Sequence, residues 1–173
     1  SGERLAEAAL ALGADLPMCL AAETLVARGI GEALSPAPGL PRLFMVLVNP
    51  GIAVATPAVF NLLERRDNPP LPALPARPDP AAFIDWLGAT RNDLQAPAVS
   101  LAPEISAALK ALGDSGAALA RMSGSGATCF GLYPSHGDAA RAAASIAAMR
   151  PSWYVEATQT LETSRERRRS FPT

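Results

Sequence analysis

The chain has 173 residues and a formal net charge of −1, with 49% apolar, 5% aromatic and 18% charged residues. Half apolar content suffices for a sizeable core in one domain or one and a half. The near-balance of charge argues against a generally basic nucleic-acid surface, and no apolar run is long enough to span a membrane. Two cysteines, Cys19 and Cys129, stand far apart in apolar contexts, and the lone His136 completes no zinc set. Reduced, buried thiols and a cytoplasmic setting are therefore expected, with no metal held by these residues. The opening SGERLAEAALALGAD carries acids early and has no small-residue cleavage pattern after an apolar run, so no signal peptide is expected.

Glu3–Leu12 is rich in Ala and Leu, and Gly13 is placed to end the helix this favours. A chain that starts almost inside a helix reads more readily as a fragment than as a natural N-terminus. Leu16–Leu34 reads as short strands broken by glycines, and the Pro/Gly-rich SPAPGLP sets a boundary near Pro36–Pro41. The apolar run Leu43–Val48 predicts a fully buried strand, turned by Asn49-Pro50-Gly51. Thr56 as N-cap and Pro57 at the first helical position open a helix whose apolar face carries Val59, Phe60, Leu62 and Leu63.

Asn68–Pro80 is too rich in proline for a helix or a central strand and reads as a surface loop. Ala81–Leu87 predicts a short helix, and Asp93–Ala96 a second helical stretch. Pro103–Leu112 predicts a helix with Pro103 at its first position, Glu104 in the first turn and Gly113 past its end. Ala117–Met122 and Ala127–Tyr133 read as strands with hairpin character between them, Asp138–Met149 as an Ala-rich helix and Trp153–Ala157 as a last strand. The charged end, SRERRRSFPT, reads as a solvated tail; its basic residues could also touch RNA, the rarer use of such a run. From Leu43 onward the order is strand, helical stretch, strand, strand, helix, strand. That is the split βαβ, ferredoxin-like α+β arrangement, with an antiparallel sheet and helices on one face.

Four short motifs could carry chemistry, and each also has a plain structural use. Asp15, in Leu12-Gly13-Ala14-Asp15-Leu16-Pro17, could take a proton from a substrate hydroxyl in a partly dry site, or could cap a turn. Ser123-Gly124-Ser125-Gly126 could present backbone N–H groups to an anion, or could simply turn the chain. It is not a P-loop, since no lysine follows and a strand rather than a helix comes next. Phe60, one turn into the helix that Thr56 opens, could stack on a base, or could belong to the core. Thr90-Arg91-Asn92-Asp93-Leu94 reads as capping of the helical stretch after it.

In this order, LGADLP, GIGE, VNPG with TPxxF, RNDL and RMSGSGATCFGL resemble the 4-diphosphocytidyl-2-C-methyl-D-erythritol kinases of the GHMP kinase superfamily, from about Leu12 to Glu156. The resemblance implies transfer of the γ-phosphoryl group of ATP, with Mg²⁺, to the 2-hydroxyl of 4-diphosphocytidyl-2-C-methyl-D-erythritol in non-mevalonate isoprenoid synthesis. It implies that Asp15 takes or orients the hydroxyl proton. It implies that Ile30, Thr56, Pro57 and Phe60 line the cytidine side, and that Ser123, Gly124, Ser125, Gly126, Ala127 and Thr128 border the phosphate site. On this view residues 1–38 are the end of a GHMP N-terminal domain, 39–160 its C-terminal domain and 161–173 a tail.

The sequence departs from the family pattern in two ways. Met18 stands close to where many relatives carry an aromatic. The family's catalytic lysine and its larger P-x-x-x-G-L-G-S-S loop are not in this sequence, and Lys110, the only lysine, follows a different motif. The chain thus looks like the C-terminal part of such a kinase. Residues 1–38 would then be strained or exposed, or completed by exchange with a second copy in a homodimer. Two other readings stand beside this one: a non-catalytic ferredoxin-like module that binds a small molecule, and another GHMP small-molecule kinase. Phosphoryl transfer relies on positioning and charge stabilisation, and both would lose their main groups with that loop and lysine. The purified 173-residue chain is therefore expected to show negligible ATP-dependent turnover in a coupled assay, and measurable turnover would contradict this.

Overall fold

The computed structural model describes residues 24–29, 33–37 and 39–161. The helix expected at Glu3–Leu12, the strand expected from Leu16, Asp15, Ile30, Cys19 and the basic end lie outside these described residues. The described residues divide between two compact units. The first includes 24–29, 33–37, 39–41, 76–78 and 161, and the second is Arg42–Pro75 with Asp79–Thr160. In the first, β1 (Leu25–Arg28) and β2 (Ala33–Pro36) form an antiparallel hairpin, Leu25 opposite Pro36 and Arg28 opposite Ala33. The Ala37 amide closes its open end by donating to the Thr24 carbonyl at 2.9 Å.

The second unit is a four-stranded sheet and its helices. The strands are β3 (Phe44–Asn49), β4 (Leu119–Met122), β5 (Cys129–Tyr133) and β6 (Tyr154–Gln159). Their order is β4-β5-β3-β6, and every neighbouring pair is antiparallel. This is the order that the split βαβ arrangement requires. Five helices accompany them in this unit: α1 (Thr56–Asn61), α2 (Pro80–Gly88), α3 (Gln95–Leu101), α4 (Glu104–Asp114) and α5 (His136–Met149).

The core lies between one face of the sheet and helices α4 and α5. Ile105, Ala108 and Leu112 recur at helical spacing along α4, and Ala139, Ala142, Ala143 and Ile146 along α5. They meet Val46, Val48, Met122, Cys129 and Tyr133 from the strands. Each larger aliphatic side chain buried here contributes roughly 1.5–3 kcal/mol. The alanines of α5 let that helix lie close to the sheet. Burial pushes the Cys129 thiol up to about 11, so it stays protonated and serves as a small apolar filler.

Several expected boundaries move, each for a local reason. β3 is fully buried on one face only: Val46 and Val48 are inaccessible, while Met45 and Leu47 on the other face are half-covered. Thr56 is not the N-cap of α1. Ala55 holds that place without a side-chain bond, and Thr56 is the first helical residue. α2 starts at Pro80 because Asp79 accepts the Ala82 N–H at 2.8 Å, and α5 starts at His136 because Ser135 accepts the Asp138 N–H at 3.1 Å. α3 starts after Asp93 and runs on to Leu101; Pro97 is tolerated because it stands in the first turn, where its missing N–H breaks no helical bond. α4 runs through Gly113 to Asp114, and Gly116, at φ +90°, makes the left-handed exit expected of Gly113.

The helices also touch more than one side of the sheet. Arg121 alternates with the core residue Met122 and so points to the opposite face. There its guanidinium donates to the carbonyls of Leu87 and Thr90, at 2.8 and 3.0 Å, and to the Thr90 hydroxyl at 2.6 Å. A cation thus satisfies the carbonyl end of α2.

Gly131 stands opposite Val46 and Ala120 in the sheet and lies against Leu112 of α4. A β-carbon there would lie 2.9 Å from Leu112 Cδ2 and 3.0 Å from Ala117 Cβ. Gly131→Ala is expected to destabilise the unit by about 1–3 kcal/mol through overpacking, read as a lower urea midpoint at unchanged slope.

Candidate functional site at the connection between β4 and β5

Ser123–Thr128 joins β4 to β5, so the connection is longer than a two-residue hairpin turn. Its ends are tied by the Ser123 amide donating to the Thr128 carbonyl at 2.8 Å, and the Gly126 amide donates to the Ser123 carbonyl at 3.1 Å. Gly124 and Gly126 have φ of +54° and +95°, a conformation that favours glycine. A β-carbon on Gly126 would also lie 2.9 Å from Met122 Sδ and 3.3 Å from Ile105 Cδ1. The connection therefore rests directly on the core, with Ala127 buried beneath it.

Side chains from three other segments hold this backbone in place. At the end of β3, Asn49 donates from Nδ2 to Thr128 Oγ1 at 2.9 Å and accepts the Gly51 N–H on Oδ1 at 2.8 Å. Before α3, Asn92 donates from Nδ2 to the Met122 and Gly124 carbonyls at 2.9 and 2.8 Å, and its Oδ1 accepts the Leu94 N–H at 3.0 Å. Gln95 Oε1 accepts the Met122 N–H at 2.9 Å. At the start of α1, the Thr56 and Ser125 hydroxyl oxygens lie 2.8 Å apart. One hydroxyl donates to the other, which leaves one proton of the pair to point elsewhere.

The chemistry offered is that of neutral donors. The amides of Gly124 and Ser125 donate to no acceptor among the described residues, and both residues reach solvent. With the Thr56–Ser125 hydroxyl pair they form a cluster of hydrogen-bond donors suited to anion oxygens. No charged side chain among the described residues hydrogen-bonds to the connection. Lys110 is on the exposed side of α4, paired with Asp114 at 2.6 Å. Among the described residues no group of three His, Cys, Asp or Glu side chains could hold a metal ion.

Of the residues singled out in the sequence, the structure brings Thr56 and Ser125 together directly, with Gly124, Gly126, Ala127 and Thr128 in the same turn. Phe60 is four residues after Thr56, on the same side of α1. The residue is 46% exposed, so Phe60 is a surface aromatic and not a core residue. Pro57 is exposed beside it. Asp15 and Ile30 lie outside the described residues. The sequence singled out Asn49, in a turn after a strand, and Asn92, as a capping residue, without their bonds to this connection, and Gln95 was passed over. Asn92 does accept the Leu94 N–H, as a capping residue would, but its two other bonds reach across 30 or more residues to β4 and the turn.

The Thr56–Ser125 bond is exposed, so its worth is small. A double-mutant cycle with Thr56→Val and Ser125→Ala is expected to give a coupling of about 0.5 kcal/mol in urea unfolding. Strict additivity would mean that the two hydroxyls do not meet in solution.

Residues 71–151 match the family described as GHMP kinases C terminal. A 4-diphosphocytidyl-2-C-methyl-D-erythritol kinase of Paracoccus denitrificans is 55% identical over 149 residues, 86% of this chain and 55% of that protein. The crystal structure of a 4-(cytidine 5'-diphospho)-2C-methyl-D-erythritol kinase superposes with a TM-score of 0.72 at 33% identity, covering 90% of this chain and 56% of that one. A homoserine kinase from Cytophaga hutchinsonii shares the fold, with a TM-score of 0.63 at 18% identity over 87% of this chain and 52% of its own. The chain spans about half the length of the curated relatives it matches. Over most of its length the chain is similar, in sequence and in fold, to about half the length of the 4-diphosphocytidyl-2-C-methyl-D-erythritol kinases, and residues 71–151 match the C-terminal part of GHMP kinases.

Proposed function

We propose that this chain is part of a cytoplasmic enzyme that moves the γ-phosphoryl group of ATP to the 2-hydroxyl of 4-diphosphocytidyl-2-C-methyl-D-erythritol, a step of non-mevalonate isoprenoid synthesis. The observation that carries the reading is the Thr56–Ser125 contact. It joins the helix that bears the TPxxF motif to the glycine-rich turn, so groups suited to a ring and groups suited to a phosphate share one place. The identity of 55% to a named kinase of this specificity supports the same substrate, where the homoserine kinase supports the fold alone.

In this reading Phe60, on the face of α1 that carries Thr56, stacks on the cytosine, with Pro57 beside it and Ile30 on the same side of the substrate. The Gly124 and Ser125 amides and the Thr56–Ser125 hydroxyl pair orient phosphate oxygens. Ser123, Gly126, Ala127 and Thr128 set the shape of the turn. Asp15 accepts the proton of the attacking hydroxyl. These neutral donors provide orientation and little charge neutralisation. Mg²⁺ belongs to the reading through the family, but the described residues offer no cluster of carboxylates for it.

Stacking of a base on an aromatic ring is worth roughly 1–3 kcal/mol. Titration calorimetry of the chain is expected to show that cytidine 5'-diphosphate binds more tightly than adenosine or uridine 5'-diphosphate. Phe60→Ala should weaken the cytidine ligand about tenfold, with the other two unchanged. Equal binding of all three, or indifference to Phe60→Ala, would overturn the reading in favour of another kinase or a non-catalytic binding module.

A further inference from the structure

Asn92 donates both hydrogens of one side-chain amide to two carbonyls, Met122 at 2.9 Å and Gly124 at 2.8 Å. In a planar trans peptide the carbonyl of one residue and the N–H of the next point in opposite directions. The only cis peptide among the described residues is Gly126–Ala127, so both of these peptides are trans. Holding the Met122 carbonyl toward Asn92 turns the Ser123 N–H away from it, and that N–H meets the Thr128 carbonyl at 2.8 Å. Holding the Gly124 carbonyl toward Asn92 turns the Ser125 N–H away in the same manner. That N–H has no acceptor among the described residues, and the Ser125 hydroxyl lies 2.8 Å from Thr56 Oγ1.

We propose that Asn92 is the positioning residue of this site: by drawing two carbonyls to its own side it aims the Ser125 N–H outward, ready for a phosphate oxygen. Left to itself, a turn with glycines at two positions could rotate the Gly124–Ser125 peptide and present a carbonyl instead, which repels an anion. Asn92 removes that alternative by giving the carbonyl a donor. Pre-aimed donors cost no reorganisation when the ligand arrives. The third bond of Asn92, from the Leu94 N–H, fixes its own side chain, so the amide cannot swing out of the way. The inference rests on the reading of this turn as a phosphate site.

The test compares the full 173-residue chain with Asn92→Ala and Asn92→Ser, using inorganic pyrophosphate as probe and amide NMR as readout. Serine keeps a neutral acceptor for the Leu94 N–H but is too short to reach both carbonyls. The expected result is that both variants lose pyrophosphate affinity about tenfold and that their order parameters fall at residues 123–126. Rescue of affinity and of loop order by Asn92→Ser would reduce Asn92 to a capping residue and overturn the proposal. If the unmodified chain gives no pyrophosphate shift at Gly124 and Ser125, the phosphate reading falls. The loop-order comparison then decides by itself whether Asn92 sets the turn, with unchanged order in both variants overturning that too.

Discussion

Three neutral amide side chains, Asn49, Asn92 and Gln95, hold the connection between β4 and β5, and what the site can do follows from that constraint. A turn between two strands carries peptide groups that no ladder satisfies, and each must find a partner in the protein or in water. Here Asn92 meets the Gly124 carbonyl, the Ser123 and Gly126 amides bond to backbone carbonyls, and the amides of Gly124 and Ser125 are left for solvent or a ligand. Thr56 adds a contact from α1, so a helix and a turn 69 residues apart in sequence meet through two hydroxyls.

The sheet and its helices make this arrangement stiff. Met122 and Cys129, the residues that flank the turn, are both core residues. Ile105 and Met122 pack so closely beneath Gly126 that a β-carbon there would crowd both, in a backbone conformation that already favours glycine. The turn is thus seated on α4 from below while the asparagines brace it from the sides. Arg121, the neighbour of Met122 on the opposite face, ties β4 to the end of α2 and to Thr90, two residues before Asn92. Core packing and site geometry therefore share the same short strand.

Much of the second unit was legible in the sequence because its elements carry local signals. The continuous apolar run Leu43–Val48 placed a strand, Pro103, Glu104 and Gly113 marked out a helix, and the order of elements indicated the ferredoxin-like sheet. Boundaries were less legible, because a cap is decided by where one side chain turns. Asp79 and Ser135 cap their helices, whereas Thr56, of equal promise, turns to Ser125. Within the site, the residue types of TPxxF and SGSGAT were readable as candidates. Their meeting was not, since a long-range hydroxyl contact leaves no periodic trace. The asparagines were hidden for a related reason: Asn before a helix reads as local capping, and Asn92 does cap Leu94 while its amide hydrogens do something else. Phe60 could have been core or surface by sequence, because one aromatic on a short helix fits either face.

On the proposed function, the exposed ring of Phe60 and the unpaired amides of Gly124 and Ser125 serve a single ligand. Amide shift mapping with cytidine 5'-diphosphate tests it most directly, because that molecule carries a base and a diphosphate in one covalent frame. The predicted result is that the amides of residues 56, 58–60 and 124–126 shift together along one saturation curve. Shifts confined to one of the two segments, or saturating at different concentrations, would contradict it.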